Sequence, residues 1–316
     1  MSADGKPTSR ILVVRLGAMG DILHTLPAVA ALKQNHPNAD LTWLVEPQWT
    51  PLLEGNPFVD RVIQFRRRNL RGLLESIREL RTHSYDLAID FQGLLKSAIP
   101  ARAAGPPRLF GFHESQLRER TAGLFYTHKI TSTSTHIVDR NLDLALATGR
   151  GAESAERLFS LPAGRPEGDL PTGDFVLASP LAGWQSKQWP MEHYQELGER
   201  LKKELGLPLI LNGPPDSGMP HRCDLAGLIH ATRRAAAVIG VDSGPMHLAA
   251  ALGKPGVAIF GPTDPARNGP YGTSMRVLRA PGATTTYKRG AEIDHSMRSI
   301  TPTQVFESLL AGSLAR

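Results

Sequence analysis

Four short segments hold residues suited to binding an anion or taking a proton. The first is Arg15-Leu16-Gly17-Ala18-Met19-Gly20-Asp21, which runs on through Ile22-Leu23-His24-Thr25-Leu26-Pro27. Its two glycines let a backbone approach a ligand closely, and the helix start that follows leaves N–H groups free for an anion. Asp21 puts a carboxylate near that first turn. It is either a favourable charge on the helix dipole or a base within reach of a ligand hydroxyl. The second segment is Asp242-Ser243-Gly244-Pro245-Met246-His247, where a hydroxyl and free amides would meet a phosphate. Asp242 and His247 have no further ligands beside them to support a metal, and they read equally as a capped helix with an inward histidine. The third, Phe260-Gly261-Pro262-Thr263-Asp264-Pro265, follows another apolar run. The fourth, Gly183-Trp184-Gln185-Ser186-Lys187-Gln188-Trp189-Pro190, offers Lys187 to a phosphate and two tryptophans to pack or stack.

Charge adds a fifth feature. Residues 61–81 hold seven arginines (61, 66, 67, 68, 71, 78 and 81) against Glu75 and Glu79, a local +5 in a 316-residue chain whose formal net charge is +6. The rest of the chain is therefore near neutral. Such a run is a solvated helix face or an anion site, because guanidinium forks match phosphate and carboxylate oxygens.

These segments need a frame that gathers strand ends. Apolar runs at 11–14, 41–45, 62–65 and 87–90 alternate with helical spacing at 22–35 and 70–82. A second cycle passes through a strand at 175–179, a helix at 191–205, a strand at 207–212, a helix at 225–237, a strand at 238–241, a helix at 246–252 and a strand at 256–260. Thr301 and Pro302 open a last helix, expected over 302–314. This alternation calls for parallel sheets covered on both faces, with ligands at the carboxyl ends of the strands. Two α/β domains are expected, at 1–160 and 161–300, the second with a nucleotide site, followed by a final helix at 301–316.

Composition narrows the classes. With 41% hydrophobic and 21% charged residues, wholesale disorder is excluded, and one cysteine, Cys223, excludes a disulfide framework or a cysteine-based zinc site. No apolar run reaches transmembrane length, and the polar start lacks a signal-peptide core, so a cytoplasmic location is expected.

In these motifs the chain resembles glycosyltransferase family 9, the ADP-heptose:lipopolysaccharide heptosyltransferases. The resemblance rests on the segment from Arg15 to Pro27 and on Asp90-Phe91-Gln92-Gly93-Leu94-Leu95-Lys96-Ser97. It continues through Asp242-Ser243-Gly244-Pro245-Met246-His247-Leu248-Ala249-Ala250 and the segment from Phe260 to Pro265. Four motifs in order cover nearly the whole chain from Ile11. The Arg66-Arg67-Arg68 cluster, with Arg118-Glu119 followed by Leu124-Phe125-Tyr126, is most similar to the heptosyltransferase I branch, which adds the first heptose.

The resemblance implies an α/β fold of GT-B architecture: two Rossmann-like domains with parallel sheets facing a central cleft, and a last helix crossing back to the first domain. It implies an inverting transfer of L-glycero-D-manno-heptose from ADP-heptose to a Kdo sugar of Kdo2-lipid A, with no metal or cofactor. Contact with the cytoplasmic surface of the inner membrane would be transient and peripheral, without nucleic acid or an obligate protein partner. Asp21 matches the family's general base. Gly20, Lys187, Asp242, Ser243, Gly244, Met246, His247 and Thr263 match donor-binding positions, and Arg66, Arg67, Arg68, Arg71, Lys96 and Arg118 match positions that meet the anionic acceptor.

The chain departs from the family pattern in two places. Between Asp216 and Asp224 there is little room for the usual helix and strand, which leaves the adenine and ribose contacts unplaced. Before Lys187, Leu181-Ala182-Gly183 lacks the two threonines of some first-heptose enzymes, so glycine amides are expected to substitute. Rival readings are a family 9 enzyme with another acceptor, such as heptosyltransferase II, and a non-catalytic nucleotide-sugar binder, which would need no base at Asp21. A nucleic-acid patch at 61–81 is disfavoured because no aromatics interleave the arginines, whereas an anionic membrane surface is compatible with the enzyme.

Overall fold

A computed structural model describes residues 9–149, 156–286 and 289–312. The polar start at 1–8 and the final residues of the helix expected over 302–314 lie outside the described residues. The chain divides into two units, Met1–Pro162 and Ala163–Arg316.

In the first unit the apolar runs become β1 (Ser9–Val14), β2 (Ala39–Val45), β3 (Arg61–Gln64), β4 (Leu87–Asp90), β5 (Arg108–Phe112) and β6 (His128–Ile130). All pair in parallel, in the order β3-β2-β1-β4-β5-β6. Continuous burial of Ile11, Leu12, Val13 and Val14 follows from this, because a parallel sheet carries helices on both faces. The helices are α1 (Met19–Leu23), α2 (Leu26–Asn35), α3 (Leu70–Arg81), α4 (Leu95–Ala103) and α5 (Ile137–Leu146). The single helix expected over 22–35 is thus two. Pro27 has no N–H to give the Leu23 carbonyl, so the chain breaks at His24 and Thr25 and restarts with proline in the first turn.

The second unit repeats the plan with β7 (Val176–Ser179), β8 (Leu209–Gly213), β9 (His221–Arg222), β10 (Ala237–Val241), β11 (Gly256–Phe260) and β12 (Met275–Arg279), ordered β12-β11-β10-β7-β8-β9. Its helices are α6 (Met191–Leu205), α7 (Leu225–Arg234), α8 (Gly244–Ala251), α9 (Pro265–Asn268), α10 (His295–Arg298) and α11 (Pro302–Gly312). The helix expected over 225–237 ends early because Ala237 is drawn into the sheet opposite Val176. Parallel neighbours normally need a crossover of a dozen or more residues. Here β8 and β9 are joined by a short turn without a helix, held by a 2.8 Å hydrogen bond between His221 Nδ1 and Asn212 Oδ1. The short stretch noted between Asp216 and Asp224 is this turn.

The described part of α11 buries Val305, Phe306 and Leu309 in the core of its own unit, beside Tyr194, Leu197 and Leu201 of α6. Its apolar stripe is satisfied there, and Arg200 of α6 lies 4.1 Å from the centre of the Phe306 ring. Each unit is therefore a doubly wound Rossmann-like sheet, and the pair is the GT-B set. In each sheet the chain reverses direction at one point, between β1 and β4 and between β7 and β10, and ligands of such sheets bind outside the strand ends there.

Candidate active site

At the first reversal point, the loop after β1 meets the loop after β4. Gln92 Oε1 accepts the Leu16 N–H at 3.1 Å and the Gly17 N–H at 3.4 Å. Arg15 donates to the Phe91 carbonyl and reaches Asp21 Oδ1 at 2.7 Å. The Ala18 N–H donates to the other carboxylate oxygen at 3.2 Å. Both oxygens of Asp21 are thus oriented, yet the side chain is 42% exposed and open to a ligand. A Cβ on Gly17 would stand 2.5 Å from Trp49 Nε1, which explains the glycine.

Behind this loop, Asp90 is fully buried at the end of β4. It accepts from Tyr126 Oη (2.8 Å), Ser97 Oγ (2.8 Å) and the N–H groups of Gln92 (2.9 Å) and Gly93 (3.3 Å). Burial pushes its carboxyl up, and these hydrogen bonds only partly oppose that. Asp90 thereby sets the turn that aims Gln92.

Beside the same strand ends, Arg66, Arg67 and Arg68 line a cavity of about 510 Å³ with Glu46, Pro47, Gln48, Phe65 and Asn69. Glu46 organises it: its Oε1 lies 2.6 Å from Arg67 Nε and 3.9 Å from Lys96 Nζ, and its Oε2 takes a hydrogen bond from Gln48. Arg66, Arg67, Arg68 and Lys96 therefore come together. Arg71 does not join them; it points along α3 to Glu75 at 2.9 Å and is 90% exposed. Arg118 is exposed on the crossover between β5 and β6, also outside the cavity lining.

At the second reversal point, the loop after β7 meets the loop after β10. Lys187 Nζ lies 2.5 Å from Asp242 Oδ2, with side chains only 16% and 8% exposed, and the His247 ring is 3.7 Å from Oδ1. Burial alone would raise the Asp242 carboxyl, but the His247 ring and the Lys187 ammonium outweigh it and hold it well below the usual carboxylate range. Lys187 also stacks over Trp184, 4.3 Å from the ring centre. Ser243 caps α8 by position, yet its hydroxyl makes no capping bond. The hydroxyls of Ser243, Thr263 and Ser186 are all buried without a hydrogen-bond partner, which is costly unless a ligand completes them. Gly244 begins α8, whose first amides are unpaired, while Met246 is buried beneath them. Gly20 lies in the first turn of α1, in the other unit.

Two further cavities adjoin this point. One of about 240 Å³ is lined by Ser179, Leu181, Asn212, Pro214, Pro215 and Leu225 among others; a second of about 620 Å³ includes Ser186, Pro262 and Arg289. Among the described residues no three His, Cys, Asp or Glu side chains gather as a metal cluster. Sequence reasoning assigned no role to Arg15, Gln92, Glu46 or Ser186. Arg15 and Gln92 stood inside quoted motifs and Ser186 beside Lys187, while Glu46 carried no signal.

The profile of glycosyltransferase family 9 (heptosyltransferase) matches residues 73–295. Lipopolysaccharide heptosyltransferase 1 of Escherichia coli strain K12 is 31% identical over 300 residues, covering 86% of this chain and 94% of the relative. The Pseudomonas aeruginosa protein of that name is 30% identical over 300 residues, covering 84% and 82%. The solved structure of E. coli heptosyltransferase WaaC with ADP-2-deoxy-2-fluoro heptose gives a TM-score of 0.76 at 27% identity, over 94% of this chain and 98% of that one. That of E. coli ADP-heptose lipopolysaccharide heptosyltransferase II gives 0.76 at 25%, over 97% and 99%. Two doubly wound sheets, charged loops at both reversal points and a profile spanning most of the sequence agree: this chain is a glycosyltransferase and belongs to family 9, the heptosyltransferases.

Proposed function

We propose that this lipopolysaccharide heptosyltransferase adds the first heptose of the inner core, moving L-glycero-D-manno-heptose from ADP-heptose to a Kdo sugar of Kdo2-lipid A with inversion. The cavity walled by Arg66, Arg67 and Arg68 carries this choice of acceptor, since guanidinium forks suit a ligand bearing carboxylates and phosphates. Similarity to relatives named lipopolysaccharide heptosyltransferase 1 supports it.

In this reading Asp21 takes the proton of the Kdo 5-hydroxyl as that oxygen bonds to the anomeric carbon of the heptose. The bond from that carbon to the β-phosphate oxygen breaks on the opposite face, and ADP leaves. A sugar hydroxyl is a weak nucleophile, so a held carboxylate contributes roughly a hundred- to ten-thousand-fold. The transition state gains oxocarbenium character, which the Asp21 carboxylate also favours. Negative charge gathers on the departing diphosphate. Lys187, the first amides of α8 at Gly244, and the hydroxyls of Ser243 and Thr263 neutralise it. Asp242 and His247 hold Lys187 in place, and the apolar 240 Å³ cavity takes the adenosine.

ADP release from ADP-heptose with Kdo2-lipid A tests the reading. Wild type should turn over, and Asp21→Asn should lose roughly a hundred-fold or more with unchanged unfolding. Turnover only of an acceptor that already carries heptose sinks the first-heptose assignment, and near-normal turnover by Asp21→Asn sinks the base. Replacing Arg66, Arg67 and Arg68 together should raise the acceptor KM far more than the donor KM.

A further inference from the structure

We infer that the outward face of α3, α4 and the turn at Arg120–Phe125 docks on an anionic lipid bilayer, an inference that rests on the proposed lipid-borne acceptor. The crossovers from β3 to β4, β4 to β5 and β5 to β6 lie on one face of the first sheet, since the strand order advances in one direction and such crossovers are right-handed. Two hydrogen bonds stitch them into a layer: Arg81 Nε of α3 to the Ala103 carbonyl of α4 (3.0 Å), and the Leu95 N–H of α4 to Glu119 Oε2 (2.7 Å). Inward, Leu80, Ala98, Ala101 and Ala122 pack in the core.

Outward, the layer shows side chains that a soluble surface does not require. Leu70 is 72% exposed, Leu74 47%, Ile99 50% and Leu124 81%; among the described residues the only other large exposed apolar side chain is Val277, in the second unit. The charge is just as concentrated. Residues 66–81, 94–104 and 114–126 hold ten basic and four acidic side chains, a net +6 that equals the formal charge of the whole chain. On α3 the two features share one exposed side, with Leu70 and Leu74 among Arg71, Arg78 and Arg81.

Exposed leucines set among arginines are the pattern of an interfacial helix: the cations draw anionic headgroups and the apolar side chains enter the acyl boundary. No described helix is long and apolar enough to cross a membrane. The Arg66-Arg67-Arg68 loop that walls the cavity runs directly into α3 through Asn69, its N-cap, so the docked face is continuous with the acceptor cavity.

Sedimentation of the full chain with vesicles tests this, using mixed phosphatidylglycerol and phosphatidylcholine against phosphatidylcholine alone. Wild type and Val277→Glu should bind the acidic vesicles, and Leu74→Glu with Leu124→Glu should bind them roughly tenfold more weakly. The double variant should keep wild-type thermal unfolding and wild-type ADP release on a deacylated, water-soluble acceptor. Wild-type failure on acidic vesicles, undiminished binding by the double variant, or an equal loss in Val277→Glu overturns the docking face. Acidic-vesicle binding that shows the expected loss, beside no turnover of any Kdo acceptor, supports the face and overturns the acceptor reading instead.

Discussion

The two units solve the same problem, holding two post-strand loops together at a reversal point, with opposite electrostatics. In the first, Gln92 ties the loops through neutral amide hydrogen bonds, and the buried carboxylate behind it, Asp90, is met by hydroxyls and amides. Its carboxyl is pushed up. In the second, the tie is itself an ion pair between Lys187 and Asp242, and that carboxyl is held down. The proposed function gives this difference a use. On that reading the first unit leaves Asp21 and Arg66, Arg67 and Arg68 exposed, where an acceptor would reach them. The second keeps its cation mostly buried, with spare donors on Nζ that an incoming diphosphate can take.

The sharpest way to break this contrast is Lys187→Ala. It strands Asp242 with only the His247 ring nearby, and urea unfolding should show a loss of about 3 kcal/mol, with ADP binding weakened as well. Loss of ADP binding without loss of stability would mean the pair holds nothing together. Tyr126→Phe probes the neutral side. Removing one of the hydroxyls that satisfy Asp90 should cost about 1–3 kcal/mol by the same measurement, and a value near zero would make Asp90 a bystander.

Acid should separate the two carboxylates by sign. Asp242, depressed in the fold, contributes its full stability above the unfolded value of about 4 and loses it as pH falls below. Asp90, raised, contributes fully below about 4 and loses that as pH climbs through its folded value. Urea midpoints should therefore show Asp90→Asn gaining on wild type as pH rises above this point. The deficit of Asp242→Asn should shrink as pH drops below it. Parallel responses would erase the comparison. The smallest effect belongs to Arg71→Ala, because its pair with Glu75 is a solvent-exposed one: about 0.5 kcal/mol or less, with the acceptor KM unchanged.

Much of the scaffold is legible along the chain. The strand at 256–260 and the helix at 191–205 stand where the apolar period puts them, and both cycles of strand and helix are present. Other elements carry weak local signals. α4 contains Pro100 and no apolar stripe, so periodicity does not reveal it, and the break at His24–Thr25 hides inside a continuous apolar pattern. Asp21, Lys187 and Asp242 are legible for a local reason: each follows an apolar strand, Asp21 in the first turn of α1 and the other two in polar loops.

The pairings are another matter. Leu16 meets Gln92 across 76 positions and Lys187 meets Asp242 across 55. Glu46 collects Arg67 from the loop before α3 and Lys96 from the first turn of α4. No local period encodes such distances. They are set when β1 takes β4 as a neighbour and β7 takes β10, which happens only as sheets assemble in their reversed order. Residue type and spacing along the chain therefore determine which groups can do chemistry. Sheet order decides which of them share a site, because a side chain acts over a few ångströms of space and not over positions in sequence.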